Sequence, residues 1–161
     1  MDKICDIFSV ILVCKGGQRK NLSLEAANGS EVIKNLIKDF PGEEINFENI
    51  PDDILTKIIE YLEHHKSIPP KKIPMPLPKK DFKECVDQWD YEFINIELEK
   101  IFEIMMAANY MHIQSLLDLT SAKIADVIRG KSPEEINRMF KLDDENSESN
   151  DLNENIIRGK K

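Results

Sequence analysis

The spacing of apolar positions changes character several times along the chain. From Ile4 to Cys14 the residues are dense in Ile, Val, Phe and Leu; Gly16-Gly17 follows, and Gln18–Glu25 then sets Leu22 and Leu24 against polar neighbours. Two apolar runs joined through Gly-Gly predict a β-hairpin. Ser30 offers a hydroxyl that can cap a helix. Val32, Ile33, Leu36, Ile37 and Phe40 recur behind it at helical spacing until Pro41-Gly42 stops them. A short third strand is predicted over Ile45–Ile50, and Pro51-Asp52 opens a second helix with the stripe Ile54, Leu55, Ile58, Ile59 and Leu62. Two amphipathic helices and a few strands can enclose one core.

Lys66–Lys83 breaks the pattern with Pro69, Pro70, Pro74, Pro76, Pro78 and six lysines. Proline donates no backbone hydrogen bond and biases its predecessor away from helix, so this is an extended loop and the main organisational boundary. Beyond it the pattern is helical. Glu97–Asn109 carries Ile101, Phe102, Met105 and Ala108; Ile113–Ile128 carries Leu116, Leu117, Ile124, Val127 and Ile128, with Gly130 as a stop. Ser132-Pro133-Glu134-Glu135 meets three helix-start rules at once: a capping hydroxyl, proline at the first helical position, and a glutamate that can reach back. Ile136, Met139 and Phe140 follow on one face. From Asp143 onward acids mix with Ser and Asn and predict a disordered tail, in which Ile156-Ile157 could form a short docking element.

The composition narrows the function classes. The chain has 161 residues, 22 Lys+Arg against 30 Asp+Glu, and a net charge of −8, which argues against general phosphate-backbone binding. Its longest apolar stretch, within Ile7–Cys14, is interrupted by Ser9 and is far short of the roughly 20 residues a membrane span needs. Asp2 and Asp6 sit where a signal peptide would be basic. Cys5, Cys14 and Cys85 are odd in number and widely spaced, which points to free thiols in a reducing compartment.

Candidate chemistry is sparse. His64 and His65 are adjacent, so on a helix they diverge by about 100° and chelate one ion poorly. His112 stands alone, and no cysteines have zinc or redox spacing. A Cys–His nucleophile pair could still assemble in space. Gly16-Gly17 lacks the remaining glycines and lysine of a phosphate loop. Asp52-Asp53 and Glu43-Glu44 suit solvated loop and helix-start positions. Trp89 suits an aromatic anchor that packs the end of the loop onto the core. The later helices hold more large apolar side chains than three short helices can bury among themselves, which favours an interaction module over an enzyme.

Three stretches carry a family resemblance: IPDDILTKIIEYLEHHKSIPP, then WDYEFI, then AANYMHIQSLLDLTSAKIADVIRGKSPEEINRMF. Together with a weaker match of the N-terminal hairpin and first helix, they cover most of residues 4–142. The chain resembles the Skp-type adaptors of cullin–F-box ubiquitin ligases. Elongin C shares the front fold and an Ala-Ala-Asn-aromatic segment, but the continuation through Lys131-Ser132-Pro133-Glu134-Glu135 is similar to the Skp branch. The resemblance implies an α+β fold, a BTB/POZ domain with a small sheet and packed helices, followed by a helical F-box-binding extension. It divides the chain into the N-terminal part of that domain (1–65), the Pro/Lys-rich loop (66–86), the C-terminal BTB/POZ helices (87–128), a dimerisation and F-box-binding extension (129–142) and the acidic tail (143–161).

The function implied is non-enzymatic, with no catalytic residue, cofactor or metal. The expected partners are a cullin N-terminal domain and F-box proteins, with no nucleic acid or membrane, and a weak homodimer when unpartnered. Asn109 and Tyr110 match the family's cullin-contacting pair. Phe102, Met105, Leu117, Ile124, Ile128, Ile136 and Phe140 match F-box-binding positions, where a partner's helices would complete a composite core. The expected location is cytoplasmic and nuclear. The alternatives are a self-associating BTB-fold assembly protein and an elongin-C-like adaptor without F-box partners. The chain departs from the family in several places. Its tail lacks Trp and Pro, and with the latter the proline that some protist members hydroxylate. Its loop is basic where the family's is often acidic, and Cys14-Lys15-Gly16-Gly17 replaces a common Ser-Asp-Gly turn.

Overall fold

A computed structural model describes residues 9–74 and 76–141, the side chains of residues 140 and 141 excepted. Ile4–Phe8 of the first predicted strand, Cys5 and the tail from Asp143 lie outside the described residues. The hairpin forms as its sequence dictates. Strand β1 (Ser9–Val13) pairs antiparallel with β2 (Arg19–Ser23), with Val10 opposite Leu22. Alternation buries Val10, Leu12 and Leu22. The reversal needs Gly16 and Gly17, whose φ values of 98° and 82° are costly for any residue with a Cβ.

The predicted third strand is shorter than its sequence suggests. Strand β3 covers only Ile45–Asn46 and runs parallel to β1, giving the order β2-β1-β3. Phe47 still donates to the Val13 carbonyl at 2.7 Å, but the Ile50 amide then turns back onto Phe47. Burial of Phe47 and Ile50 makes that turn favourable, because both side chains reach the core without continuing the ladder.

Among the described residues eight helices surround the sheet. The polar end of the second apolar run folds into α1 (Leu24–Ala27) where a strand was predicted through Glu25. The Ser23 hydroxyl caps it by accepting from the Ala26 amide, and the Glu63 carboxylate accepts from both the Ser23 amide and its hydroxyl. Helices α2 (Glu31–Asp39) and α3 (Asp52–His65) follow the predicted stripes. Helix α3 buries Ile54, Leu55, Ile58, Tyr61 and Leu62. The last member of the α2 stripe, Phe40, falls outside the helix and is 54% exposed.

A short helix, α4 (Phe82–Cys85), lies inside the loop stretch, where none was predicted, and α5 (Gln88–Ile94) falls within the stretch 87–128 that was expected to be helical. Lys123 lies over the rings of Phe82 and Tyr91, 5.3 and 5.8 Å from their centroids, and ties both helices to α7. Helices α6 (Leu98–Tyr110) and α7 (Gln114–Ile128) complete the packing. The fully buried set draws on β1, β2, α1, α2, α3, α5, α6 and α7.

Residues through Val127 form one compact unit, and a second begins at Ile128. The second contains α8 (Pro133–Lys141). Its start has the predicted capping box: the Glu135 amide donates to the Ser132 hydroxyl at 3.2 Å, and the Ser132 amide donates to Glu135 Oε2 at 3.0 Å.

One contact joins distant parts of the first unit. The Ser30 hydroxyl accepts from the Ile33 amide, capping α2, and donates to the Met111 carbonyl at 2.6 Å, just past α6. Ser30 is fully buried. We expect Ser30→Ala to remove the cap and strand a buried carbonyl, at a cost of about 2–3 kcal/mol in urea unfolding. A change below about 0.5 kcal/mol, the size of an ordinary surface substitution, would contradict this role.

Candidate functional site

Helix α6 separates its side chains by direction. Ile101, Ile104, Ala107 and Ala108 face the core. This differs from the predicted stripe, which had Phe102 and Met105 beside Ile101 and Ala108. Those two are half-buried at one flank. Glu103, Met106, Asn109 and Tyr110 are exposed on another.

Asn109 and Tyr110 owe their presentation to how α6 ends. The His112 amide donates to the Asn109 carbonyl at 3.3 Å and the Ile113 amide to the Ala108 carbonyl at 2.9 Å, the paired bonds of a Schellman stop. His112 occupies the left-handed position with φ 52°, where glycine is usual, so no glycine marks this stop in the sequence. Met111 and Ile113 turn inward and are buried, while Tyr110 stays 58% exposed and Met106 71% exposed. The Tyr110 ring meets the Phe47 ring edge-on at 6.2 Å, which orients it against the end of the sheet.

A groove of about 560 Å³ opens beside this pair, lined by Asn49, Ile50, Pro51, Ile54, Glu103, Met106, Ala107, Asn109 and Tyr110. Its floor is apolar and its rim is charged. Lys100 donates to Asp53 at 2.5 Å and lies 3.8 Å from Glu103. The Lys100 hydrogen bond holds the Asp53 carboxyl below its usual range, and the same bond raises Lys100. An exposed apolar surface with a polar rim has the make-up of a protein interface. Sequence reasoning missed Met106, Ile50 and Ile54 as members of this surface. Met106 was legible in principle: it stands three residues before Asn109 and off the buried stripe of α6.

The other predicted positions form a different group. Phe102 and Met105 lie on α6; Leu117, Ile124 and Ile128 lie on α7. All five are half-buried. The Ser121 hydroxyl of α7 lies 4.0 Å from the Met105 sulfur, which brings the two helices together at this flank. Leu117 and Ile124 pack against the edge of the core without entering it. In the second unit, Ile136 is half-buried on α8; Phe140 is on the same helix, its side chain outside the described residues.

The described residues contain no cluster of three or more His, Cys, Asp or Glu able to hold a metal, and no helix long and apolar enough to cross a membrane. Cys14 and Cys85 are buried and unpaired. His64 stacks on Trp89 with centroids 3.8 Å apart and planes 3° from parallel, and Trp89 stacks in turn on Phe93. Trp89 therefore anchors the chain after the loop, as its sequence context predicts.

Two family models match the chain. One described as Skp1 family, tetramerisation domain, covers residues 9–67, and one described as Skp1 family, dimerisation domain, covers residues 114–154. An S-phase kinase-associated protein 1 homolog of Tetrahymena thermophila is 47% identical over 120 residues, spanning 73% of this chain and 72% of that protein. An E3 ubiquitin ligase complex SCF subunit sconC of Arthroderma benhamiae is 36% identical over 135 residues, 83% of this chain and 82% of that protein. The sconC protein of Aspergillus oryzae is 37% identical over 120 residues, 73% of this chain and 74% of that protein.

The exposure of Asn109 and Tyr110 separates interface from core. We expect Asn109→Ala and Tyr110→Ala to change unfolding free energy by about 0.5 kcal/mol or less each. Ile104→Ala, at a fully buried position of the same helix, should cost about 2–5 kcal/mol. Urea titrations of the three variants check this, and comparable losses in all three would remove the distinction.

Proposed function

The chain is a member of the Skp1 family, and from that membership we propose that it is the adaptor subunit of an SCF-type ubiquitin ligase, joining a cullin scaffold to F-box substrate receptors. The observation that carries this reading is the presence of two separate incomplete surfaces on one small fold. The groove beside Asn109 and Tyr110 suits the cullin. The half-buried side chains Phe102, Met105, Leu117 and Ile124 suit an F-box, with Ile128, Ile136 and Phe140 on the chain that follows.

The physical logic is that of a bivalent scaffold. Half-buried apolar side chains gain further burial only when another chain covers them, at about 25 cal/mol per Å² of apolar surface removed from water. Their cost in the free protein is small because each is already packed on one side. The adaptor needs no chemistry of its own, so it is non-catalytic, and the reaction belongs to other subunits. Its unpaired buried thiols suit reducing compartments, the cytoplasm and the nucleus. A weak homodimer through the F-box-binding flank is a second, compatible reading for the unpartnered protein, favoured by the dimerisation-domain match over residues 114–154.

Capture of a recombinant cullin N-terminal domain and of an F-box peptide tests the division of surfaces. Asn109→Ala combined with Tyr110→Ala should weaken cullin capture about tenfold or more, equivalent to about 1.4 kcal/mol, and leave F-box capture unchanged. Failure to bind either partner at micromolar concentration would remove the adaptor reading, and equal loss of both in the double variant would remove the two-surface assignment.

A further inference from the structure

His65 closes α3, and its ring is held between two groups that can only accept. Nδ1 lies 2.7 Å from the Ile68 carbonyl oxygen and Nε2 lies 2.7 Å from Asp90 Oδ1 of α5. Both His65 and Asp90 side chains are 6% exposed, so water does not replace the bond between them cheaply, whereas the Ile68 end lies at the surface. A neutral imidazole has one N–H and one lone pair. The observed geometry therefore needs both protons on the ring, with Nε2–H facing the Asp90 carboxylate and Nδ1–H the Ile68 carbonyl. With only one proton left, the carboxylate, the stronger acceptor, keeps the Nε2–H, and the Nδ1 lone pair then faces the Ile68 carbonyl.

Ile68 has little else to hold it. Its side chain is 53% exposed, and Pro69 after it is exposed as well. The chain next meets the core at Ile73. Between these points lie Lys71 and Lys72, both exposed. We propose that His65 is a proton-dependent latch, which fixes the start of the lysine-bearing segment 67–72 through the Ile68 carbonyl while the His65–Asp90 pair carries two protons and frees it when one is lost.

The surroundings determine the direction. Tyr61 lies one turn earlier on α3, with its ring centroid 4.5 Å from that of His65. Its hydroxyl donates to Ser115, and burial pushes its pKa upward, so it stays neutral. His64 and Trp89 present ring edges at 4.9 and 5.6 Å. From α5, Asp90 and Asp87 face the ring with negative charge. Glu25 and Lys66 share a cavity of about 430 Å³ with it, where Lys66 pairs with Glu63 at 2.8 Å. Burial by itself would lower the His65 pKa; the hydrogen bonds to Asp90 and Ile68 and the charges of Asp90 and Asp87 outweigh it, and the net shift is upward from 6.5. A raised histidine pKa places the latch's contribution fully in force below the unfolded value and removes it as pH rises through the folded value.

Ring-nitrogen NMR of the full-length protein between pH 5.5 and 9, with backbone heteronuclear NOEs for the non-proline residues 67–72, tests the latch. His65 should carry protons on both nitrogens at pH 6 and lose the Nδ1 proton at a midpoint above 6.5. The NOEs of the segment should fall with the same midpoint. Two variants should diverge. His65→Gln keeps a donor only toward Asp90, so its segment should be mobile at every pH. Asp90→Asn can donate to Nε2 and lets a neutral ring hold Ile68 through Nδ1, so its segment should stay ordered through pH 9. A His65 ring already neutral at pH 6 with an ordered segment, or NOEs that do not follow the ring's titration, would overturn the proposal even if both variants failed to fold.

Discussion

The fold turns on one hydroxyl. Ser30 stands between the start of α2 and the end of α6 and uses its oxygen twice, accepting from the Ile33 amide and donating to the Met111 carbonyl. The amides of Glu31 and Val32 also point at the carbonyls of His112 and Met111, at 3.4 Å each. A helix start, with its unpaired donors, is thus set against a helix end, with its unpaired acceptors, and at Ser30 and Met111 the junction is fully buried. Once this junction is made, the chain must leave α6 in the direction that buries Met111 and Ile113. Asn109 and Tyr110, the two residues before Met111, are then left outside. The exposed placement of this pair is a consequence of satisfying buried backbone groups.

The same economy governs the apolar surface. A domain of this size has room for one well-packed interior, and the residues that fill it reach it from all three strands and from α1 to α7. Phe102, Met105, Leu117 and Ile124 sit at its margin. They are ordered by contact on one side and accessible on the other, so they have already lost much of their rotamer freedom. An adaptor built this way binds through prearranged surface, while its stability resides in other residues.

The chain after the proline-rich loop is held to α3 by aromatic and ionic contacts in place of secondary structure. Trp89 stacks between His64 and Phe93, Lys57 lies 5.3 Å from the centre of the Phe93 ring, and His65 bridges to Asp90. The paired histidines, poorly spaced for a metal, are spaced for this: adjacent on a helix end, one turns to the tryptophan and the other to the aspartate. Their role depends on residues about 25 positions later.

Much of the architecture was legible in the sequence. The Gly-Gly hairpin, the stripes of α2 and α3, the stop at Gly130 and the Ser132 capping box are local features, each decided by a few neighbouring residues, and the motif stretches identified the family. Tertiary structure decided what no local signal carries. It cut β3 to two residues, because Phe47 and Ile50 gain more from burial than from pairing. It formed α4, whose few residues are stabilised by rings and cations on other helices. It moved Phe102 and Met105 off the core stripe, placed Met106 in the groove, and set His65 between two acceptors. The physical reason is the same in each case: spacing fixes which side chains share a face, but only the packed partner determines whether that face is core, margin or surface.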